Sequence, residues 1–422
     1  MKVLMINYTD YEGGAARVAY RLKESLKAKG HVVHMGVGRK TLDDPDIIQC
    51  RWGKGNLSLL YWRIILEIEG CIGYQYIFRP GIKRIKKLGL LSGVDVVHIH
   101  NLHGGYINLD IVSQLASYKP IIWTFHDMWP LTGHCAHALD CERWKTSCIR
   151  CPDLNRYPAI RRDCASFLWR RKAENAKRLK GSGIIVSPSN WLDRLVAESF
   201  MRRIKHVIIP NGVDTNIFRP RPKTLMRKEL DLPQDRFILC FAAEGGARNP
   251  WKGFNLLMDI LRRLMKDRPI PYAVIIGNND RKYLLEDLGF EGKIIGKITK
   301  ETIMAKYYAA SDVYLMTSIV ENCPLVIIEA LACGLPVLAF NVGGITELID
   351  NGLNGYTIPK GDTEMAVQRL KEMMAASREE REKMSDFAVK SVNVRNSTKT
   401  FTSAYEKLYT QVIKYWNKTN KN

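Results

Sequence analysis

Two series of short apolar runs, separated by spacers of helix length, constrain this chain more than any other feature. "KVLMINY" (residues 2–8) is followed by "GGAARVAYRLKESLKAKG" (13–30), which has helical periodicity and closes on Lys-Gly, and then by "HVVHMGVG" (31–38). That is a βαβ unit. "VDVVHIHN" (94–101), "PIIWTFHD" (120–127) and "GSGIIVSPS" (181–189) continue the series. Pro and Gly interrupt it through "IPNGVDTNIFRPRPK" (209–223), and it restarts at "RFILCFAAE" (236–244). "YAVIIGN" (272–278), "IIGKIT" (294–299), the helix-then-strand stretch "TIMAKYYAASDVYLMTS" (302–318) and "LPVLAFN" (335–341) make up the second series. Parallel strands need such crossovers, and helices then cover both faces of the sheet. The pattern predicts an α/β chain of two doubly wound domains, residues 1–208 and 209–390, facing across a cleft. Residues 391–422 are expected to form a closing helix that packs back on the first domain, because "TFTSAYEKLYTQVIKYW" (400–416) lines up aromatics on one face. Ligands of such sheets bind outside the carboxyl ends of the strands.

With 46% hydrophobic and 25% charged residues in 422, the chain is expected to be globular throughout. The N-terminus meets Asp10 and Glu12 without a small-residue cleavage site, so it reads as a first strand and export is not expected. The longest apolar stretch, residues 57–78, contains Arg63, Glu67 and Glu69, charges too costly for a membrane span. The formal charge is +21 and uneven: residues 51–90 hold eight Lys or Arg against two Glu, and residues 143–180 hold twelve against three acids. This half should favour an anionic partner. No nucleic-acid motif accompanies the charge, so nucleic acid is not the expected partner. In residues 61–91, aromatics and aliphatics interleave with Arg79, Lys83, Arg84, Lys86 and Lys87, as expected where a protein meets an acidic membrane surface. A helix pair with a solvated basic face is the other reading of that stretch.

"SIVENCPLVIIEALACGLPV" (318–337) places Glu321 in a polar loop and Glu329 inside an apolar run, where a charge is costly without a partner. Pro324 suits the first turn of a helix, so Glu321, Asn322 and Cys323 form the loop before it, and Glu329 lies about 7–8 Å further along the axis. Free amides at that helix start would attract phosphate, and two carboxylates at different depths could each accept hydrogen bonds from a set of hydroxyls. A sugar nucleotide offers phosphate flanked by two such sets.

The run Ser-x-x-Glu-x-x-Pro-x-x-x-x-Glu-Ala-x-Ala-x-Gly-x-Pro-Val from Ser318 to Val337, followed by "NVGGITELIDNGLNGY" (341–356), resembles the donor-binding signature of the retaining nucleotide-sugar glycosyltransferases of family 4. "GGAARV", "TFHD", "SPSNW" and "IPNGVDTNIF" fall in that family's order, so the resemblance covers nearly the whole chain. "TFHDMWPLTGHC" further resembles a branch that builds bacterial capsule, O-antigen and exopolysaccharide chains. The resemblance implies a GT-B fold of two Rossmann-like domains. It also implies a UDP- or GDP-sugar donor, no cofactor required for catalysis, a glycan or lipid-linked glycan acceptor, and a cytoplasmic enzyme peripheral to the inner face of the membrane.

Carried over by position, Glu321 would hold donor-sugar hydroxyls, the amides near Asn322 and Cys323 would lie close to sugar or phosphate, and Glu329 would take the ribose hydroxyls. Lys252 of "PWKGF" would neutralise the leaving diphosphate. The family's arginine five residues before that lysine falls on Ala247, and Arg248, one step along, would serve through a one-residue shift of the loop. Gly13 and Gly14 would let the backbone approach the diphosphate, or else form a plain strand-to-helix turn. His126, at the carboxyl end of a strand, would lie beside donor sugar and acceptor; His103 and His134 are its rivals. Asp127 would orient His126 or cap the next helix. Retention implies a front-face substitution in which the leaving phosphate helps take the acceptor proton, so Glu321 is a binding group and no residue is assigned as nucleophile.

Ten cysteines in a chain without an expected export signal do not suggest disulfides. Cys135, Cys141, Cys148 and Cys151 cluster near His134 and His137, which gives two readings, a structural zinc site or packed reduced thiols. Two other functions fit parts of the pattern. A nucleotide-sugar epimerase or hydrolase would cleave donor without an acceptor, and a noncatalytic RNA-binding protein would not need Glu321, Glu329 and Lys252 together.

Overall fold

The computed structural model describes residues 1–50, 56–242, 249–266, 268–277 and 284–419. The chain divides into two compact units, one of residues 1–210 with 401–422, the other of residues 211–400.

The first unit is built on seven parallel strands: β1 (Lys2–Thr9), β2 (Val32–Arg39), β3 (Ile47–Gln49), β4 (Val96–Ile99), β5 (Ile121–Thr124), β6 (Gly183–Ser187) and β7 (Lys205–Ile208). Their order is β3-β2-β1-β4-β5-β6-β7, so the winding reverses between β1 and β4. β4 and β5 are buried along their whole length, as central strands covered on both faces must be. Two polar residues, His98 and Thr124, are included in that burial. His98 on β4 is enclosed because its ring is bonded on both sides, to the Tyr409 hydroxyl (2.7 Å) and the Thr124 hydroxyl (2.8 Å). Tyr409 belongs to the helix Thr398–Thr419, whose Phe401, Tyr405 and Tyr409 recur every four residues and are buried. The Tyr405 hydroxyl bonds Thr124 (2.8 Å), and Glu406 pairs with Lys29 and His31. Apolar spacing gives this helix its buried face, and the polar contacts of three residues, Tyr405, Glu406 and Tyr409, fix its register.

The second unit repeats the plan with β8 (Ile238–Ala242), β9 (Tyr272–Ile276), β10 (Gly292–Ile295), β11 (Val313–Met316), β12 (Val337–Phe340) and β13 (Gly355–Ile358). The order is β10-β9-β8-β11-β12-β13, again wholly parallel, with the reversal between β8 and β11. In both units the carboxyl ends of the strands flanking the reversal are the place where such sheets hold ligands.

Among the described residues, no helix is long and apolar enough to cross a membrane. The basic stretch is only partly a surface. Arg79 is buried, paired with Glu69 at 2.5 Å and packed over Trp62, and Arg84 donates to the Cys50 carbonyl, so neither belongs to a free cationic face. This corrects the reading of Arg79 and Arg84. Lys83, Lys86 and Lys87 remain exposed, as do Leu60, Tyr61, Ile64, Leu66 and Ile68 on the helix Asn56–Ile72.

Candidate functional site

In the second unit, three loops at the carboxyl edge interlock beside the reversal. After β11, Thr317 donates its hydroxyl to the carbonyls of Lys252 (3.0 Å) and Gly253 (2.9 Å), and the Ile319 amide donates to the Trp251 carbonyl (2.9 Å). After β12, the Gly344 amide donates to the Glu321 carbonyl (3.2 Å). Two glycines permit this closeness. Gly253 has φ +60°, and a Cβ there would stand 1.9 Å from the Thr317 carbonyl oxygen; Gly343 has φ +58°, and a Cβ would stand 1.7 Å from that of Glu321. Neither backbone nor space admits a side chain.

These loops bring together two residues that lie 69 positions apart: Lys252 Nζ donates to Glu321 Oε1 at 2.6 Å. The lysine side chain keeps 24% of its exposure and the glutamate 13%, so the pair is rigidly held yet open to a ligand. A fixed cation beside a fixed carboxylate can meet a phosphate with one and hydroxyls with the other, without reorganising as charge develops. Asn322 and Cys323 are buried in the same turn, where the Cys323 carbonyl accepts from the Asn211 side chain (2.8 Å) and burial pushes the thiol up to about 12. The helix Leu325–Ala332 follows with Pro324 at its N-cap and no side-chain cap on its first amides. Glu329 is 1% exposed on its flank. Burial, and then the Glu329 charge, hold the Tyr308 phenol well above its usual range. Arg248, together with Ala247, lies outside the described residues.

In the first unit, β1 leads to Gly13, whose φ of +89° favours glycine, and to Gly14, the first residue of the helix Gly14–Ala28. A Cβ at either would meet nothing within 4 Å, so both backbones face open space. At the ends of β4 and β5 stand His100, His103, His126 and Asp127. His126 is half-buried and its Nε2 lies 3.0 Å from Nδ1 of His100, with the rings stacked. Burial lowers the pKa of His126 to about 4, the nearby His103 adding to the effect and Asp127 opposing it. The ring is therefore neutral near pH 7. Asp127 orients a different histidine from the one expected: its Oδ2 accepts from His103 Nε2 (2.8 Å), and its Oδ1 accepts the Trp129 amide (2.8 Å), capping the turn that follows. Burial alone would raise that carboxyl, but the His103 ring and the Trp129 amide hold it below the usual range.

His134 has a structural position, bonded to the Pro158 carbonyl (2.9 Å) and to Cys151 Sγ (3.3 Å). Cys135, Cys141, Cys148 and Cys151 line one small cavity with it. Among the described residues, however, no group of three or more His, Cys, Asp or Glu side chains is placed to hold a metal ion. Individual sulfurs are taken up by protein partners: Cys148 accepts the Gly133 amide (3.2 Å), and Cys151 donates to the Asp153 carbonyl (3.5 Å). These contacts suit the packed-thiol reading of Cys148 and Cys151. The residue that sequence reasoning missed is His100. The alternation of β4 carries a signal for it, since His98 and His100 stand two apart and so share a face.

Solved structures share this architecture. Sucrose-phosphate synthase from Thermosynechococcus elongatus superposes with a TM-score of 0.72 over 97% of this chain and 98% of its own at 17% identity. Anabaena Alr3699/HepE, solved in complex with UDP-glucose, does so with a TM-score of 0.64 over 97% of this chain and 100% of its own at 16% identity. The fold is GT-B, with two Rossmann-like domains. Residues 12–217 match the model of Glycosyltransferase Family 4 and residues 222–391 that of Glycosyl transferases group 1, together most of the chain, and the protein belongs to the family 4 glycosyltransferases. Among curated relatives, the putative colanic acid biosynthesis glycosyl transferase WcaC of Escherichia coli strain K12 is 26% identical over 89% of this chain and 91% of its own length. The D-inositol 3-phosphate glycosyltransferase of Thermobispora bispora is 30% identical over 48% of this chain and 52% of its own.

Proposed function

We propose that the protein transfers a hexose-type sugar, with retention of configuration, from a UDP- or GDP-sugar to a hydroxyl of a growing lipid-linked glycan in cell-surface polysaccharide synthesis. The observation that carries this reading is the Lys252–Glu321 pair, locked by three loops at the carboxyl edge beside the reversal of the second sheet. Lys252, aided by Arg248, stabilises the charge that builds on the departing diphosphate, and Glu321 holds the hydroxyls of the donor sugar. Amides of the Asn322–Cys323 turn lie near the phosphate, Glu329 takes the ribose, and Gly13 and Gly14 let the backbone approach the diphosphate. His126 contacts the sugar. Glu321 is engaged with a cation, which suits a binding group better than a nucleophile. The similarity to WcaC along nearly the whole chain supports an exopolysaccharide as the product. The test is reaction of the purified protein with a panel of UDP- and GDP-sugars, with and without lipid-linked glycan. Sugar should appear on the glycan with one donor class; release of free sugar at the same rate without acceptor would instead support the hydrolase.

The acceptor's lipid implies a cytoplasmic protein peripheral to the membrane, and exposed apolar side chains on the helix Asn56–Ile72 and exposed lysines further along the chain support that reading. Exposed Leu60, Ile64 and Ile68 lie four apart on that helix, and Lys83, Lys86 and Lys87 stand a short distance along the chain. Each lysine near an anionic surface contributes on the order of 1 kcal/mol, fading within about a Debye length, roughly 8 Å at physiological salt. Sedimentation with vesicles should show binding to acidic but not neutral lipid, weaker as salt rises and weaker again in the Lys83→Gln, Lys86→Gln, Lys87→Gln triple variant. A protein that stays in the supernatant with acidic vesicles at low salt would remove the peripheral-membrane part of the proposal.

A further inference from the structure

We infer that His100 is a positioning residue: its Nδ1–H donates to Nε2 of His126 and fixes His126 as the neutral tautomer that carries its own proton on Nδ1. The two ring nitrogens lie 3.0 Å apart. His100 is 1% exposed, and its other nitrogen, Nε2, is buried without a hydrogen-bond partner among the described residues.

A neutral imidazole has one N–H and one lone pair, so two arrangements of the pair compete. In the first, His100 accepts at Nδ1 from His126, its own proton sits on Nε2, and a buried N–H is left without an acceptor. In the second, His100 donates from Nδ1 and only a lone pair is left unsatisfied at Nε2. An orphaned buried donor is the rarer and costlier defect. The second arrangement therefore wins. A doubly protonated His100 is not an alternative, because burial, and then the neighbouring His98 and His126 rings, hold its pKa well below the usual value. The position of the His100 ring is itself secured. The His98 ring packs against it, tilted by 36° with centroids 4.1 Å apart, and is tied to Tyr409 of the closing helix and to Thr124, and the His100 carbonyl accepts the Trp123 indole N–H at 3.1 Å.

The consequence for His126 is chemical. Its Nε2 lone pair is used inside the protein, and whatever its Nδ1 contacts meets a donor. It can hydrogen-bond an oxygen of a sugar or phosphate, but it cannot accept the proton of an attacking hydroxyl at Nδ1. That proton must leave by another route, as a front-face reaction through the departing phosphate provides. This consequence rests on the proposed sugar transfer, whereas the tautomer does not.

Long-range ¹H–¹⁵N spectra of the full-length protein labelled at its 9 histidines would test the inference, with His126 assigned by the loss of its signals in His126→Gln. Expected are a bare Nε2 and a protonated Nδ1 on His126. The reverse pattern in the unmodified protein would overturn the inference whatever the activity. In His100→Leu, His126 should lose the single tautomer and turnover should fall roughly tenfold with little change in KM, while His100→Asn, which places an amide N–H near the old Nδ1, should recover both. A His126 tautomer unchanged in His100→Leu would also overturn it. A changed tautomer with full turnover would uphold the positioning and show instead that His126 has no part in the transfer.

Discussion

Lys252→Ala should lower turnover about 10²- to 10³-fold, the range found when one preorganised group facing developing charge is removed. In the proposed transfer the diphosphate would leave with more negative charge than it carries in the bound donor, so a cation already in place would act on the barrier more than on binding. Lys252 is in place before any ligand arrives, because Glu321 holds its Nζ at 2.6 Å and Thr317 holds its carbonyl. The loss should appear mainly in kcat, with kcat/KM falling alongside. Stability should change by only about 1 kcal/mol, since the pair is partly solvated and such pairs contribute little net energy. Lys252→Arg should retain part of the rate. Initial rates on the preferred donor, with a melting curve for each variant, check this; a Lys252→Ala enzyme with normal kcat would place the diphosphate elsewhere.

Gly343→Ala should have an effect of similar size through a different cause. At φ +58° an L-residue is strained, and the new methyl would lie 1.7 Å from the Glu321 carbonyl oxygen and 2.9 Å from its carbon, both backbone atoms that cannot swing aside. Either the loop after β12 or the main chain of Glu321 must move. Strain of this kind costs on the order of 1–3 kcal/mol, and a shift of about 1 Å in a positioning group can cost roughly 10²-fold in rate. Gly352→Ala is the control: φ is +80° there too, but a Cβ meets nothing within 4 Å. Melting temperature should fall in both variants and further in Gly343→Ala, and activity should fall only in Gly343→Ala. Equal behaviour of the two would mean that the contact with Glu321 is not what the glycine protects.

The central strands of both sheets were legible because burial on both faces leaves uninterrupted apolar runs, "VLMI" in β1 and "ILCFA" in β8. Edge strands carry no such mark. β3 has three residues, β7 reads "KHVI" and β13 reads "GYTI", and none stands out from a loop; β10 starts two residues before its expected position. In the site, the spacing of Glu321 and Glu329 was visible because one helix sets it. The link between Glu321 and Lys252 was not, because it depends on Gly253 and Gly343 admitting two backbones to close approach, which spacing does not encode. Asp127 stands next to His126 in sequence yet bonds His103, since adjacent residues at a strand end point to opposite sides. Arg79 read as a surface cation because its partner Glu69 lies ten residues away, beyond helical spacing.

The most direct test of the central claim is the configuration of the new glycosidic bond. With the preferred nucleotide sugar and a lipid-linked acceptor, proton coupling at the anomeric carbon of the product, read by NMR before any equilibration, should show the configuration of the donor. An inverted product would contradict the account, because it requires attack from the opposite face and a base to take the acceptor's proton, a role that neither the cation-bound Glu321 nor the donor-only His126 supplies.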